Sequence, residues 1–170
     1  MFYAVYHIHK YKMHYIDGDG NEIATAYVPS NSSIVNYTPN ILPSKDDSQL
    51  ELTKTYKHIG WALSPTGKVE EWTDKNIGRA SKDRYFYAIF EEASVYENIL
   101  DKRFLSFAVN NDSCSMSFNI TTLKGKITLP KDDGNGHLVT SMARGSINQN
   151  ISHIFFEPGC VINIFYPQTF

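Results

Sequence analysis

Tyr85-Phe86-Tyr87-Ala88-Ile89-Phe90 is an unbroken apolar run with no helical period. Aromatic and β-branched side chains suit a pleated backbone, and a strand apolar on both faces is one covered on both sides. Phe86, Ala88 and Phe90 share one face and are expected in the core. Tyr85 and Tyr87 share the other, where they are expected to meet a partner. Runs of the same style recur through the chain. Tyr11-Lys12-Met13-His14-Tyr15 alternates, with Tyr11, Met13 and Tyr15 on one face, and Phe104–Val109, Ser115–Ile120, Lys126–Leu129 and His153–Phe156 follow. Turn-forming clusters separate them at Asp17-Gly18-Asp19-Gly20-Asn21, Ser64-Pro65-Thr66-Gly67, Asp132-Asp133-Gly134-Asn135-Gly136 and Pro158-Gly159. A helical period shows only weakly, around Ser94–Lys102. The pattern predicts a mainly β protein.

Composition narrows the function classes. The chain has 170 residues, 16 Lys and Arg against 18 Asp and Glu, and a net charge of −2. That balance disfavours an electrostatic nucleic-acid binder, which needs a basic stripe to release counterions. It also disfavours a polybasic membrane-surface protein. No apolar stretch approaches the ~20 residues of a spanning helix, and Met1–Val5 lacks the charged start of a signal peptide. The two cysteines, Cys114 and Cys160, are too few for a disulfide framework or a cysteine-rich zinc site, and the sequence leaves their pairing open.

Phe2-Tyr3-Ala4-Val5-Tyr6 matches Phe86-Tyr87-Ala88-Ile89-Phe90 at an offset of 84 residues. Within the first half, four elements follow in order: Tyr11–Tyr15, the acidic glycine turn Asp17–Glu22, Ile59-Gly60-Trp61-Ala62, and Asp83–Phe90. This series resembles the internalin-type B repeat, also called the Listeria–Bacteroides repeat, over Lys10–Glu92. The resemblance implies a small β-grasp-like module that serves as a structural or adhesive spacer and has no catalytic residues. It also implies that Trp61 packs under the sheet, beside Gly60. On this reading Met1–His9 is the closing strand of a preceding repeat, and Tyr3 and Tyr6 join Tyr85 and Tyr87 as candidate partner-contact residues. Trp61, Phe86, Ala88 and Phe90 are the candidate structural core.

The C-terminal part resembles a BspA-type leucine-rich repeat. Gly125–Pro130, Val139–Met142, Ile151–Glu157 and Val161–Ile164 carry the likeness, with Val139…Met142 recurring as Val161…Ile164 at an offset of 22. Such repeats run about 20–29 residues. The organisation expected is an N-terminal strand over residues 1–9 and a B-repeat-like module over 10–92. A connecting β-rich segment over 93–123 and a short leucine-rich-repeat-like segment over 124–170 complete it.

Motifs that carry chemistry are weak. Asp17-Gly18-Asp19-Gly20-Asn21 opens like a calcium loop, but Glu22 and Val28 stand where an EF-hand requires glycine and a bidentate glutamate, so a β-turn is expected. His7 and His9 share a strand face without a third ligand to complete a metal site. The acidic pairs at Asp46, Glu70, Glu91 and Asp132 are adjacent residues, which point to opposite faces of a strand and cannot themselves form a glycosidase dyad. Arg144-Gly145-Ser146 lacks the second glycine of a nucleophile elbow. No catalytic residue, cofactor or metal is expected. The expected function is structural or adhesive, through contacts with other protein chains in a homo- or hetero-oligomer, with no nucleic acid and no membrane insertion. A phage virion component at the virion surface, such as a head fibre, decoration or tail-associated protein, fits best. The alternative is a fragment of a large bacterial cell-surface adhesin. A carbohydrate-binding module or an enzyme ranks behind both.

Overall fold

The computed structural model describes residues 7–120, 123–143 and 150–165. Tyr3, Tyr6 and the strand expected over Phe2–Tyr6 lie outside the described residues. The regular structure is mainly β: β1 (Lys10–Ile16), β2 (Glu22–Pro29), β3 (Lys54–Ala62), β4 (Arg84–Ser94), β5 (Leu105–Asn110), β6 (Ser113–Phe118), β7 (Gly125–Leu129), β8 (Leu138–Met142), β9 (Ile151–Phe156) and β10 (Ile164–Phe165). Two short 3-10 turns, Val35–Tyr37 and Lys102–Phe104, are the helical elements among the described residues. The chain forms two compact units, Met1–Lys45 with His58–Phe90 and Asp46–Lys57 with Glu91–Phe170.

The first unit is built on a sheet of order β2-β1-β4-β3. Hairpin pairing runs from Lys10↔Pro29 to Tyr15↔Ala24 with a bulge before Ile16, and β1 runs parallel to β4 from Met13↔Arg84 to Ile16↔Tyr87. Alternation then sorts the side chains. Met13, Tyr15, Val28 and Phe86 are fully buried on the inner face, with Ala88 close behind. Segments without helix or strand close this face through Ile34, Ile77 and Ala80. Backbone bonds tie those segments together: Asn31 N–H donates to Ala80 at 2.8 Å and Ala80 N–H donates to Ser32 at 2.9 Å.

Aromatic rings fill the centre. Trp61 meets Tyr15 edge-on at 5.1 Å and Trp72 meets Phe86 edge-on at 5.0 Å, geometries the ring quadrupole favours. The Trp72 indole N–H donates to the Thr38 hydroxyl at 2.7 Å, which donates onward to the Val35 carbonyl at 2.9 Å. Burial pushes the Tyr15 phenol above its ordinary value, and the Thr38 hydroxyl offsets part of that. Gly60 explains why Trp61 turns inward while Ile59 is exposed. Its φ of +147° lies where side chains rarely go, and a Cβ there would stand 2.4 Å from Val69. Gly18 is packed as tightly, since a Cβ would meet Lys45 at 2.6 Å and Phe90 at 2.9 Å.

The second unit alternates between two sheets. One has the order β10-β8-β6-β5, and the other pairs β7 with β9. β5 and β6 form an antiparallel hairpin, whereas β6, β8 and β10 are successive parallel neighbours, as are β7 and β9. Paired positions recur at a near-constant spacing: Cys114 with Val139, Met116 with Met142, Ile127 with Ile154 and Leu129 with Phe156. Ile99 adds a parallel bridge to Thr128. The chain therefore winds in rungs, with Cys114, Met116, Ile127, Leu129, Val139 and Met142 buried. Met142 pairs with Phe165 and Ser141 with Ile164, so these strands pair at an offset of 23 residues and not the 22 read from Val139 and Val161. A one-residue slip changes which residues share a face.

The weak helical period at Ser94–Lys102 does not produce a helix. Ser94 and Glu97 form a reciprocal capping pair, with Glu97 N–H donating to the Ser94 hydroxyl and Ser94 N–H donating to the Glu97 carboxylate, both at 3.2 Å. One turn is too short to propagate, and Leu100 N–H bonds the Thr128 carbonyl at 2.9 Å instead. The two cysteines are free thiols. Cys114 is buried, which pushes its thiol up, and its Sγ lies 3.5 Å from the His137 carbonyl.

Lys126 straps the excursion Asp46–Lys57 onto β7. Its ammonium donates to the Glu51 and Lys54 carbonyls at 3.1 and 2.9 Å and lies 3.6 Å from the Asp47 carboxylate, with the side chain only 7% exposed. Thr55 donates to the same carboxylate at 2.7 Å. Replacing Trp61 by alanine is expected to cost about 3–5 kcal/mol, measured by denaturant unfolding; a loss under about 1 kcal/mol would place the ring outside the core. Lys126→Met leaves the Glu51 and Lys54 carbonyls without the ammonium and Asp47 with the Thr55 hydroxyl but no countercharge, and is expected to cost about 3 kcal/mol. Amide exchange in Asp46–Lys57 should accelerate in that variant while exchange in β1 stays unchanged.

Candidate functional site

The outward face of the first sheet follows from the same alternation that builds the core. On β1 it carries Lys12 and His14, on β2 Thr25 and Tyr27, and on β4 Tyr85 and Tyr87. The ladder sets Lys12 opposite Tyr27, His14 opposite both Thr25 and Tyr85, and Ile16 opposite Tyr87. Tyr27 is 57% exposed and Tyr85 50%, large values for aromatic side chains on a sheet. They flank β1 from either side. Tyr87, beside the buried Ile16, is half-buried.

The face is ordered as well as exposed. The rings of His14 and Tyr85 are stacked, with centroids 4.5 Å apart and planes 11° from parallel. His14 Nδ1 lies 3.0 Å from a Glu22 carboxylate oxygen, and the Thr25 hydroxyl donates to the other oxygen. These contacts hold the Glu22 carboxyl below the usual carboxylate range, the Thr25 hydroxyl contributing most and His14 next. Lys12 is fixed through its backbone, whose N–H donates to the Asp83 carboxylate at 2.8 Å. Lys12 and Glu22 each lie two register positions from the stacked rings, on opposite sides of them. Such a surface offers aromatic area with polar groups at its margin.

Of the residues singled out from sequence, the structure brings Tyr85 and Tyr87 to this face and sends Phe86, Ala88 and Trp61 to the opposite one. Phe90 is partly buried, its ring 5.5 Å from that of His58. Tyr3 and Tyr6 lie outside the described residues. β4 lies between β1 and β3, so it offers its face and not its backbone edge. His14, Glu22, Thr25 and Tyr27 were not singled out. The alternation of β1 marked His14 as outward, but only the pairing of β1 with β2 and β4 gathers the set.

Arg144-Gly145-Ser146 lies outside the described residues, and the acidic turns are closed by local bonds. The Asp17 carboxylate is 4% exposed and accepts the Asp19 and Asn21 N–H groups at 2.9 Å each and the Asn21 side-chain amide, so it closes its own turn. His7 and His9 are exposed, and the His9 ring packs edge-on to Tyr11 at 4.5 Å. In the second unit Asp133 accepts the Asn135 and His137 N–H groups and lies 2.7 Å from His137 Nδ1; the His137 side chain holds the Asp133 carboxyl far below its ordinary range. No group of three metal-binding side chains occurs among the described residues.

The Glu22 carboxyl should titrate below its unfolded value of about 4.3 by carbon-detected NMR, and Thr25→Val should move the midpoint up. Because the folded value is the lower one, the contribution of this group to stability is present above about pH 4.3 and is lost as pH falls through the folded midpoint. An unchanged midpoint in Thr25→Val would show that the hydroxyl does not hold the carboxylate. No protein-family model, curated protein or solved structure matches the chain.

Proposed function

We propose that this chain is a non-enzymatic structural or adhesive protein that works by surface contact, as a virion component such as a phage head fibre, decoration or tail-associated protein. The observation that carries the reading is the ordered aromatic face: Tyr27 and Tyr85 stand half or more exposed around a stacked histidine on a rigid sheet. Evenly exposed aromatic area on regular structure costs solubility and is retained where a partner covers it. The parallel pairing of the first and last strands at the centre of β2-β1-β4-β3 fits the β-grasp-like B-repeat module of the resemblance. Its spacer role needs no catalytic group.

The second reading, a fragment of a large bacterial surface adhesin, draws on the rungs of the second unit. Parallel pairings 23 to 27 residues apart fit the BspA-type leucine-rich-repeat resemblance. Repeats of that kind are built to extend. Both readings place the protein outside the cell, on a virion or on a bacterial surface, with other protein chains as partners.

Quantitative mass spectrometry of gradient-purified virions and of cell envelopes from the producing culture separates the two. A fixed copy number per particle is expected for the virion component, and enrichment in envelopes for the adhesin; recovery in neither fraction would sink both. Incorporation or attachment of a Tyr27→Ala, Tyr85→Ala variant should fall at least about tenfold, the effect of losing more than 1.4 kcal/mol of aromatic contact, with its melting temperature within a few degrees of the parent. Full attachment by that variant would remove the aromatic face from the mechanism.

A further inference from the structure

Edge strands expose a row of unpaired backbone donors and acceptors, and soluble proteins blunt them with charge, proline, bulges or cover. Two edges in the first unit are treated that way. β2 begins with Glu22 and ends with Pro29. β3 carries lysines at 54 and 57 and the irregular Gly60, and the Glu70 N–H covers its Trp61 carbonyl at 2.8 Å. Among the described residues, β5, the edge of the sheet β10-β8-β6-β5, has no such device. Its sequence, Leu105-Ser106-Phe107-Ala108-Val109-Asn110, contains no charge and no proline. Ser106, Ala108, Val109 and Asn110 are exposed, Val109 at 52%.

The direction of the free backbone groups follows from the hairpin. A two-residue turn, Asn111-Asp112, joins Asn110 to its partner Ser113, with Asn111 at φ 54°. Alternation along an antiparallel ladder then turns the amides of Ser106, Ala108 and Asn110 toward β6 and those of Phe107 and Val109 away from it. The Asn119 N–H, donating to the Phe104 carbonyl at 2.8 Å, has the phase this requires.

We infer that the β5 edge is a homotypic contact, pairing antiparallel with β5 of a second copy about a two-fold axis through Phe107. The inference rests on the reading that this protein works through protein contacts, and it names one of the partners. The register is self-complementary. Phe107 faces Phe107 of the second copy and exchanges both backbone bonds with it. Leu105 faces Val109, which covers the exposed valine, and Ser106 faces Ala108, two small uncharged residues. Charge fits at the ends. The same register sets Lys102, which already holds Asp132 at 2.7 Å, opposite the exposed Asp112 at the hairpin turn of the other copy, with the exposed Arg103, paired to Asp101 at 3.3 Å, one residue further along, so Asp112 adds a second carboxylate to each cation, twice by symmetry. Isologous pairing of this kind closes at two chains and does not propagate. A six-residue strand buries less than the ~800 Å² per partner of a standard interface, so the dimer is weak in dilute solution and counts most where copies are held at high local density.

Analytical ultracentrifugation of the full chain over a dilution series is the test. A monomer–dimer equilibrium in the micromolar to millimolar range is expected, weakening as salt rises. Val109→Lys should weaken it at least about tenfold, and Val109→Thr, which keeps a β-branched uncharged edge, should not. Asp112→Lys should weaken it, and adding Arg103→Glu should restore it. Tyr85→Ala should leave it unchanged, so that failure of the aromatic-face reading and failure of this one are told apart. A chain that stays monomeric at millimolar concentration, or a dimer indifferent to Val109→Lys, overturns the inference.

Discussion

The parallel pairing of β1 with β4 is the constraint on which the first unit depends. It joins segments about seventy residues apart, from Met13↔Arg84 to Ile16↔Tyr87. Parallel neighbours require a long crossover, whose closure is an entropic cost that local turns cannot offset. The return comes on both faces at once. Tyr15 and Phe86, paired across this ladder, are both fully buried beneath Trp61 and Trp72. One residue earlier, His14 and Tyr85 are paired and stacked on the opposite face, where Tyr85 is half exposed. Core and candidate contact face are thus two sides of a single register. A slip by one residue would bury His14 and expose Tyr15.

A different economy holds the second unit. Its rungs stack like on like, Cys114 beside Val139 and Met116 beside Met142, so each turn of chain completes the burial of its neighbour. The excursion Asp46–Lys57 belongs to this unit because Lys126 brings a buried positive charge to two carbonyls and a carboxylate. An ammonium with only 7% of its side chain exposed is tolerable when those acceptors surround it. Ser94 and Glu97 show the reverse balance. Their capping pair favours a helical start, and the strand pairing of Ile99 and Leu100 ends it after one turn.

What was legible in the sequence is what period and local chemistry encode. The alternation of Tyr11, Met13 and Tyr15, the apolar run ending at Phe90, and the glycine before Trp61 each mark a face or a turn without reference to the rest of the chain. The mainly β class follows from them. What was not legible depends on pairing between distant segments. Tyr85 and Tyr87 read as a strand needing cover, yet β4 is already flanked by β1 and β3, and it is Tyr27 and His14 that complete the exposed face. Lys126 sits in an ordinary alternating strand, and nothing nearby announces that its partners lie more than seventy residues upstream. The offset of 22 read from Val139 and Val161 falls one residue short of the β8–β10 pairing and three to five short of the other parallel pairings, and one residue is enough to change a face.

The two exposed features divide the work by geometry. A sheet face presents side chains, so its selectivity comes from the shape and chemistry of Tyr27, His14, Glu22 and Tyr85. An edge presents backbone, which every chain shares, so its selectivity must come from register and from charges at the ends of the strand. β5 meets that requirement with a wholly uncharged centre between Arg103 and Asp112. The aromatic face has no self-complementary arrangement of that kind, since Lys12 and Glu22 lie to different sides of His14 with no symmetric counterpart. The face is therefore suited to a partner unlike itself and the edge to its own copy. On the proposed reading, assembly through the edge and attachment through the face draw on surface geometry alone.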